Sequence, residues 1–275
     1  MTDRYAVIGN PIAHSKSPRI HAAFARQTAQ DLDYRAILAP LDGFAAAVAQ
    51  FIAGGGRGMN VTLPFKLEAF ALADRHTARA EAAGAVNTLK FDQGEIIGDN
   101  TDGAGLVADL LHNIGCPLAG KRLLLLGAGG AARGVILPLL EQSPASLTIA
   151  NRTASRAAQL RDAFAGHGKL AARTFAELAG NQFDVLINAT SASLAGAAPA
   201  IPPGLYAPGS TAYDMMYGRG LTPFLAAAQA QGAGRLADGL GMLVEQAAES
   251  FLLWRGVRPD TRPVLAELAG ELHRA

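Results

Sequence analysis

Short aliphatic runs along this chain are repeatedly followed by segments of helical period, with glycine or proline marking the joins. Tyr5–Gly9, Tyr34–Ala39, Gly58–Val61, Leu147–Ala150, Phe183–Thr190 and Thr211–Asp214 read as buried strands, and so does the leucine run after Lys121. Helices are predicted over roughly Pro18–Gln27, from near Asp42 to the stop at Gly54-Gly55-Gly56, and through Pro64 and Lys66. Further helices run from Asp102 to about Ile114, from Thr222-Pro223 to Gly232, from Leu240 to about Trp254 with Gly256 as cap, and amphipathically from Arg262 to His273. Ala85–Leu89 and Ile96–Gly98 flank Asp92-Gln93-Gly94-Glu95, a hairpin signature. Gly115–Gly120 reads as a linker. Strands alternating with helices predict an α/β fold.

The sharpest local signal is Lys121–Ala132, KRLLLLGAGGAA. A doubly buried strand runs into a glycine turn and then a helix. Gly127, Gly129 and Ala132 match the dinucleotide-binding spacing G-x-G-x-x-G/A, where the small residues permit a tight turn, close approach of a pyrophosphate and close packing of helix on strand. The helix start offers free N–H groups to phosphate. About 20 residues past such a turn an NAD site places an acidic residue. Here stand neutral Asn151 and then Arg152-Thr153, with Arg156 a helical turn later. A carboxylate would repel a 2′-phosphate and a guanidinium can grip it, so NADP fits better than NAD.

Composition narrows the class. The chain has 275 residues, half of them hydrophobic and 17% charged, enough for one large or two average domains with a sizeable core. A formal charge of +1 suggests neither nucleic acid nor an anionic membrane as partner. Cys116 is the single cysteine, which excludes an internal disulfide and favours a reducing compartment. Met1-Thr2-Asp3-Arg4-Tyr5 passes into a strand without a signal-like segment, no apolar stretch reaches membrane-spanning length, and the histidines are scattered without metal-ligand spacing.

Candidate polar chemistry sits at strand ends. Ser15 and Ser17 lie in the loop after the first strand, where hydroxyls and helix N–H groups suit a small anion, although helix capping alone explains one serine. Lys66 falls in a first helical turn, where the macrodipole disfavours a cation; this is either a solvated placement or the lowered basicity of a catalytic lysine. Asp102 is either an N-cap or a ligand-facing carboxylate. Thr62 and Asn87 also fall at strand ends, so one rim could collect them with Lys66 and Asp102 for a polyhydroxylated substrate, and Gln246 could reach it from the long helix.

The ordered motifs GNPIAHSKSPRIH, NVTLPFK, GAVNT, GDNTDG, LGAGGAARG, NRT, INATS, YDMMY, TPFL and ADGLGMLVEQAA closely resemble the shikimate dehydrogenase family of the NADP-dependent bacterial type, nearly end to end. The resemblance implies a substrate domain with a mainly parallel sheet (1–103 and 243–275, the last helices returning to it) and a Rossmann-type NADP domain (104–242). It assigns Ser15 and Ser17 to a substrate carboxylate, and Thr62, Asn87, Asp102 and Gln246 to ring hydroxyls. Lys66 becomes the acid/base, with Asp102 as its partner. Gly127, Ala128, Gly129, Gly130 and Ala131 would hold the pyrophosphate, and Asn151, Arg152, Thr153 and Arg156 the 2′-phosphate. Thr190 also falls to the cofactor, while Met215, Tyr217, Gly239 and Met242 line the nicotinamide end, with Tyr217 shared with substrate. The implied reaction is NADPH reduction of 3-dehydroshikimate to shikimate, in aromatic amino-acid biosynthesis, by a cytoplasmic monomer or homodimer. Two alternatives stay open: a quinate/shikimate dehydrogenase with relaxed cofactor use, and a non-catalytic NADPH-binding sensor. One position departs from the family, which usually has glycine where this chain has Ser193.

Overall fold

A computed structural model describes residues 2–274, with only the backbone of Leu194, Ala195, His273 and Arg274. Met1 and the side chain of His273, with which the predicted last helix ends, lie outside the described residues. The chain divides into two compact units, one of residues 1–105 with 244–264 and the other of residues 106–243 with 265–275.

The first unit is built on β1 (Asp3–Gly9), α1 (Ser17–Gln27), β2 (Leu32–Leu38), α2 (Phe44–Ala53), β3 (Gly56–Val61), α3 (Lys66–Leu72), β4 (Arg75–His76), α4 (Ala78–Ala83), β5 (Thr88–Asp92) and β6 (Glu95–Asp99). Its sheet runs β2-β1-β3-β5-β6-β4. β1 pairs in parallel with β2 and β3, β5 lies antiparallel to β3 and β6, and β4 joins β6 in parallel. The predicted hairpin forms, and Gln93 and Gly94 both take positive φ (50° and 89°), as a two-residue turn matching strand twist demands. Ala6, Ile8, Met59, Val61, Phe44, Phe65 and Leu89 pack one core under this sheet.

The second unit holds β7 (Arg122–Leu126), α6 (Gly130–Leu140), β8 (Ser146–Ala150), α7 (Ala154–Ala163), β9 (Leu170–Arg173), β10 (Phe183–Asn188), β11 (Tyr206–Asp214), α8 (Pro223–Ala230) and β12 (Arg235–Ala237). Every pairing in its sheet is parallel, in the order β12-β11-β10-β7-β8-β9. The chain steps outward from β7 to β9, then restarts at β10 on the other side. That reversal between β7 and β10 is where open parallel sheets place ligands. Leu123, Leu124, Leu125 and Leu126 are all fully buried, as the continuous run requires.

Three further helices complete the chain: α5 (Asp102–Ala108), which continues as one wider turn over Asp109–Asn113, α9 (Leu240–Arg255) and α10 (Arg262–Arg274). The unit boundaries fall inside α5, α9 and α10. Most of α10 groups with the second unit, whereas the sequence expectation kept 243–275 together. Leu265 and Ala269 line a cleft of about 430 Å³ with Leu225, Leu236 and Leu240, so their apolar stripe is claimed there. Other differences are local. Gly56 opens β3 instead of ending the preceding helix, and a turn at residues 63–65 precedes α3, so Lys66 and not Pro64 starts that helix. β4, β9 and β12 are too short to announce themselves by alternation.

Candidate active site and cofactor cleft

Lys66, Asn87, Asp102 and Gln246 come together in the first unit. Asn87 is the hub. Its backbone N–H donates to Asp99 O (3.0 Å) and its carbonyl accepts from Val61 N–H (2.7 Å), so it bridges the ends of β3 and β6. Next to it, Val86 N–H donates to Lys66 O (2.9 Å), which fixes the start of α3. The amide orientation of Asn87 follows from its partners: Thr101 N–H (2.9 Å) and Thr88 Oγ1 (2.9 Å) donate to Oδ1. Nδ2 must then face acceptors, and it donates to Asp102 Oδ1 at 2.8 Å and Thr101 Oγ1 at 2.9 Å. Lys66 Nζ takes the other carboxylate oxygen, Asp102 Oδ2, at 2.5 Å. The Lys66 and Asp102 side chains keep 28% and 17% of their surface exposed, so the ion pair is reachable from solvent.

Asp102 is the first residue of α5, yet its carboxylate turns to Lys66 and Asn87, which resolves the capping alternative against a purely local role. The segment before it is anchored by Asp99, 1% exposed, which accepts from Thr77 Oγ1, the Asn100 N–H and the Arg79 guanidinium. Burial alone would lower the basicity of Arg79, but hydrogen bonds and charge from Asp99 and Glu249 leave it raised. Gln246 Oε1 lies 3.4 Å from Thr101 Oγ1 and 3.5 Å from Asn87 Nδ2. Gly105 allows this approach, since a Cβ there would stand 2.7 Å from the Gln246 backbone N.

Behind the cluster runs a buried polar chain. Asn60 donates to Thr88 Oγ1 (3.0 Å) and Ser250 Oγ (2.8 Å) and accepts from Tyr34 OH (2.7 Å). Burial raises Tyr34 well above the usual phenol range, opposed in part by a hydrogen bond with Ser17. The Ser17 N–H donates to Ser15 Oγ at 3.3 Å. Thr62 belongs to the same strand end: its N–H donates to Ile8 O (3.0 Å), and its methyl lies over Gly9, where a Cβ would come within 2.5 Å. Asn60, Thr88, Thr101 and Ser250 escaped the sequence reading, although buried polar residues inside apolar strand segments are such a signal.

In the second unit a cleft of about 890 Å³ opens at the β7/β10 reversal, lined by Gly127, Ala128, Gly129, Gly130 and Ala131, by Asn151 and Arg152, and by Thr190. Gly127 has φ +110°, and a Cβ there would meet Ala189 O at 3.1 Å, so only glycine suits the turn. Gly129 and Gly130 face open space, and no side chain caps α6, whose first N–H groups remain for an anion. Ala132 is fully buried. This cradle fits a dinucleotide pyrophosphate. Arg152, Thr153 and Arg156 are exposed at the start of α7; of these Arg152 lines the cleft. Thr174 and Phe175, just past β9, add a wall that the sequence did not announce. Met215 and Gly239 are in close contact, since a Cβ on Gly239 would lie 2.2 Å from Met215 O; Met242 is buried, and burial raises the half-buried Tyr217 phenol.

Family models match three stretches: the shikimate dehydrogenase substrate binding domain over residues 7–89, shikimate / quinate 5-dehydrogenase over 109–196, and the shikimate 5′-dehydrogenase C-terminal domain over 239–269. The shikimate dehydrogenase (NADP(+)) of Aromatoleum aromaticum is 67% identical over 98% of both chains. That of Dechloromonas aromatica is 65% identical over 99% of both. The chain belongs to the shikimate dehydrogenase family. A solved member, the shikimate 5-dehydrogenase of Thermus thermophilus in complex with NADP(H) and shikimate, superposes with a TM-score of 0.86 at 33% identity, covering 98% of this chain and all of that one.

Proposed function

We propose that the chain is an NADP-dependent oxidoreductase that interconverts 3-dehydroshikimate and shikimate in the cytoplasm, serving aromatic amino-acid biosynthesis. The first unit is the substrate domain and the second the NADP domain. The reading is carried by one observation, the 2.5 Å contact of Lys66 Nζ with Asp102 beside the fixed amide of Asn87.

NADPH, when bound, supplies the hydride. Negative charge then develops on the ketone oxygen, and an ammonium held beside that oxygen stabilises it and donates its proton. Lys66 supplies the ammonium. Asp102 holds it through Oδ2 and is itself held through Oδ1 by Asn87, so neither charge needs to reorganise when the substrate arrives. Asp102, Asn87, Thr62 and Gln246 supply acceptors and donors for ring hydroxyls, and Ser15 and Ser17 take the carboxylate. Gly127–Ala131 hold the pyrophosphate, Asn151, Arg152, Thr153 and Arg156 the 2′-phosphate. Thr190, Met215, Tyr217, Gly239 and Met242 form the rest of the cofactor site.

The test is shikimate-dependent reduction of NADP+ followed by nicotinamide absorbance, in wild type and in Lys66→Met. The variant is expected to lose ~10²–10⁴ in kcat, the range for lost acid/base help, while still binding NADP+. Unchanged turnover in the variant would remove Lys66 from the mechanism, and a wild type that turns over quinate with NAD in preference would replace the substrate and cofactor.

A further inference from the structure

Asp214 ends β11 with its side chain fully buried, and among the described residues no cation hydrogen-bonds to it. Its charge is met by neutral donors. Asn188 Nδ2 (3.0 Å) and Met216 N–H (3.1 Å) donate to Oδ1, and Thr222 Oγ1 (2.6 Å) and Ser193 Oγ (2.7 Å) to Oδ2. Asn188 and Thr222 belong to a strand end and a helix cap. Ser193 is different. It sits in the loop after β10, within the single turn Ala192–Ala195.

That loop is a wall of the dinucleotide cleft. Ala189, Thr190, Ser191 and Ala192 line it on one side of Ser193, and Ala198, Pro199 and Ala200 on the other. The near side is already fixed, because Thr190 donates from N–H (3.1 Å) and Oγ1 (2.7 Å) to Asn188 Oδ1. Beyond Thr190, the Ser193 hydroxyl ties the wall to the strand end that continues into Met215. We propose that Ser193 is a positioning residue for the cofactor, a latch that closes on Asp214 and holds the loop in its dinucleotide-binding shape. A hydrogen bond to a carboxylate is roughly twice as strong as one between neutral groups, so one hydroxyl suffices to bias a short loop. A loop held shut before the ligand arrives binds more tightly in proportion to the fraction already competent.

This inference rests on the NADP reading of the cleft. Removing the hydroxyl leaves Thr222 on the same Asp214 oxygen, so the carboxylate is not orphaned and the fold survives. NADP+ dissociation constants are measured by fluorescence titration for wild type, Ser193→Ala, Ser193→Gly and Ser193→Thr, with the shikimate KM alongside. If the latch raises the competent fraction about tenfold, Ser193→Ala and Ser193→Gly weaken NADP+ binding ~10-fold. The shikimate KM then stays near wild type, and Ser193→Thr restores affinity. Equal NADP+ affinity in wild type and Ser193→Ala, or a loss that threonine does not rescue, would overturn the latch alone. Absence of NADP+ binding by the wild-type chain would overturn the cofactor reading together with it.

Discussion

Gly241 lies in the first turn of α9, where alanine is ordinarily the better residue: a helix-interior Gly→Ala exchange is worth ~0.8–1 kcal/mol in its favour. The structure reverses the sign. A Cβ on Gly241 would stand 1.9 Å from Asp109 Oδ1 and 2.3 Å from its Cγ. Asp109 is 3% exposed, sits in the wide turn that ends α5, and accepts from Tyr213 OH at 2.7 Å and Asn113 Nδ2 at 2.9 Å. To admit the methyl group the carboxylate must leave these donors. Breaking hydrogen bonds to a buried charge costs ~1.5–3 kcal/mol and overpacking adds ~1–3, so the net loss after the propensity gain is ~2–5 kcal/mol. For a unit of this size that lowers the thermal midpoint by roughly 5–15 °C. Differential scanning calorimetry of Gly241→Ala reads this directly, and the same exchange in an Asp109→Ala background is expected to cost much less, because the colliding group is gone. An unchanged or raised midpoint in the single variant, or an equal cost in both backgrounds, would refute the steric argument.

Two further outcomes follow from the same structure. His21 is buried against the rings of Tyr34, Phe24, Phe251 and Trp254, and burial pushes its imidazole from 6.5 down to about 3. Between those values the unfolded chain binds a proton that the folded one refuses, so stability falls as pH drops below about 6.5, by up to ~1.4 kcal/mol per pH unit. Urea midpoints of His21→Phe are expected to lose that part of the slope, and an identical slope in both proteins would refute the assignment. Arg152→Ala is expected to raise the KM for NADPH ~10–100-fold, the value of a charged hydrogen-bonding group on a phosphate, and to leave NADH nearly unaffected. Equal losses with both cofactors in steady-state assays would show that Arg152 does not read the 2′-phosphate.

The second unit was the more legible in sequence. A parallel strand covered on both faces must be apolar at every position, and a tight turn onto a helix must carry glycine, so β7, its turn and α6 declared themselves together. Short edge strands such as β4 and β12 did not, because two or three residues carry no period. Lys66 and Asp102 could be picked out as odd residues at helix starts, each with a bland explanation that sequence alone could not dismiss.

What the linear order of residues determined by itself was local: where strands and helices begin, which turn needs glycine, and which polar residues fall at element ends. Which of those polar groups meet was decided only in three dimensions. Lys66 and Asp102 are 36 positions apart, and Asn87 and Gln246 are 159 apart. Their contacts depend on the register that sets Asn60 opposite Thr88, and on Gly105 letting a helix residue approach within hydrogen-bond range. Polar pairing of this kind is set by the need to satisfy every buried donor and acceptor, which leaves no periodic trace along the chain.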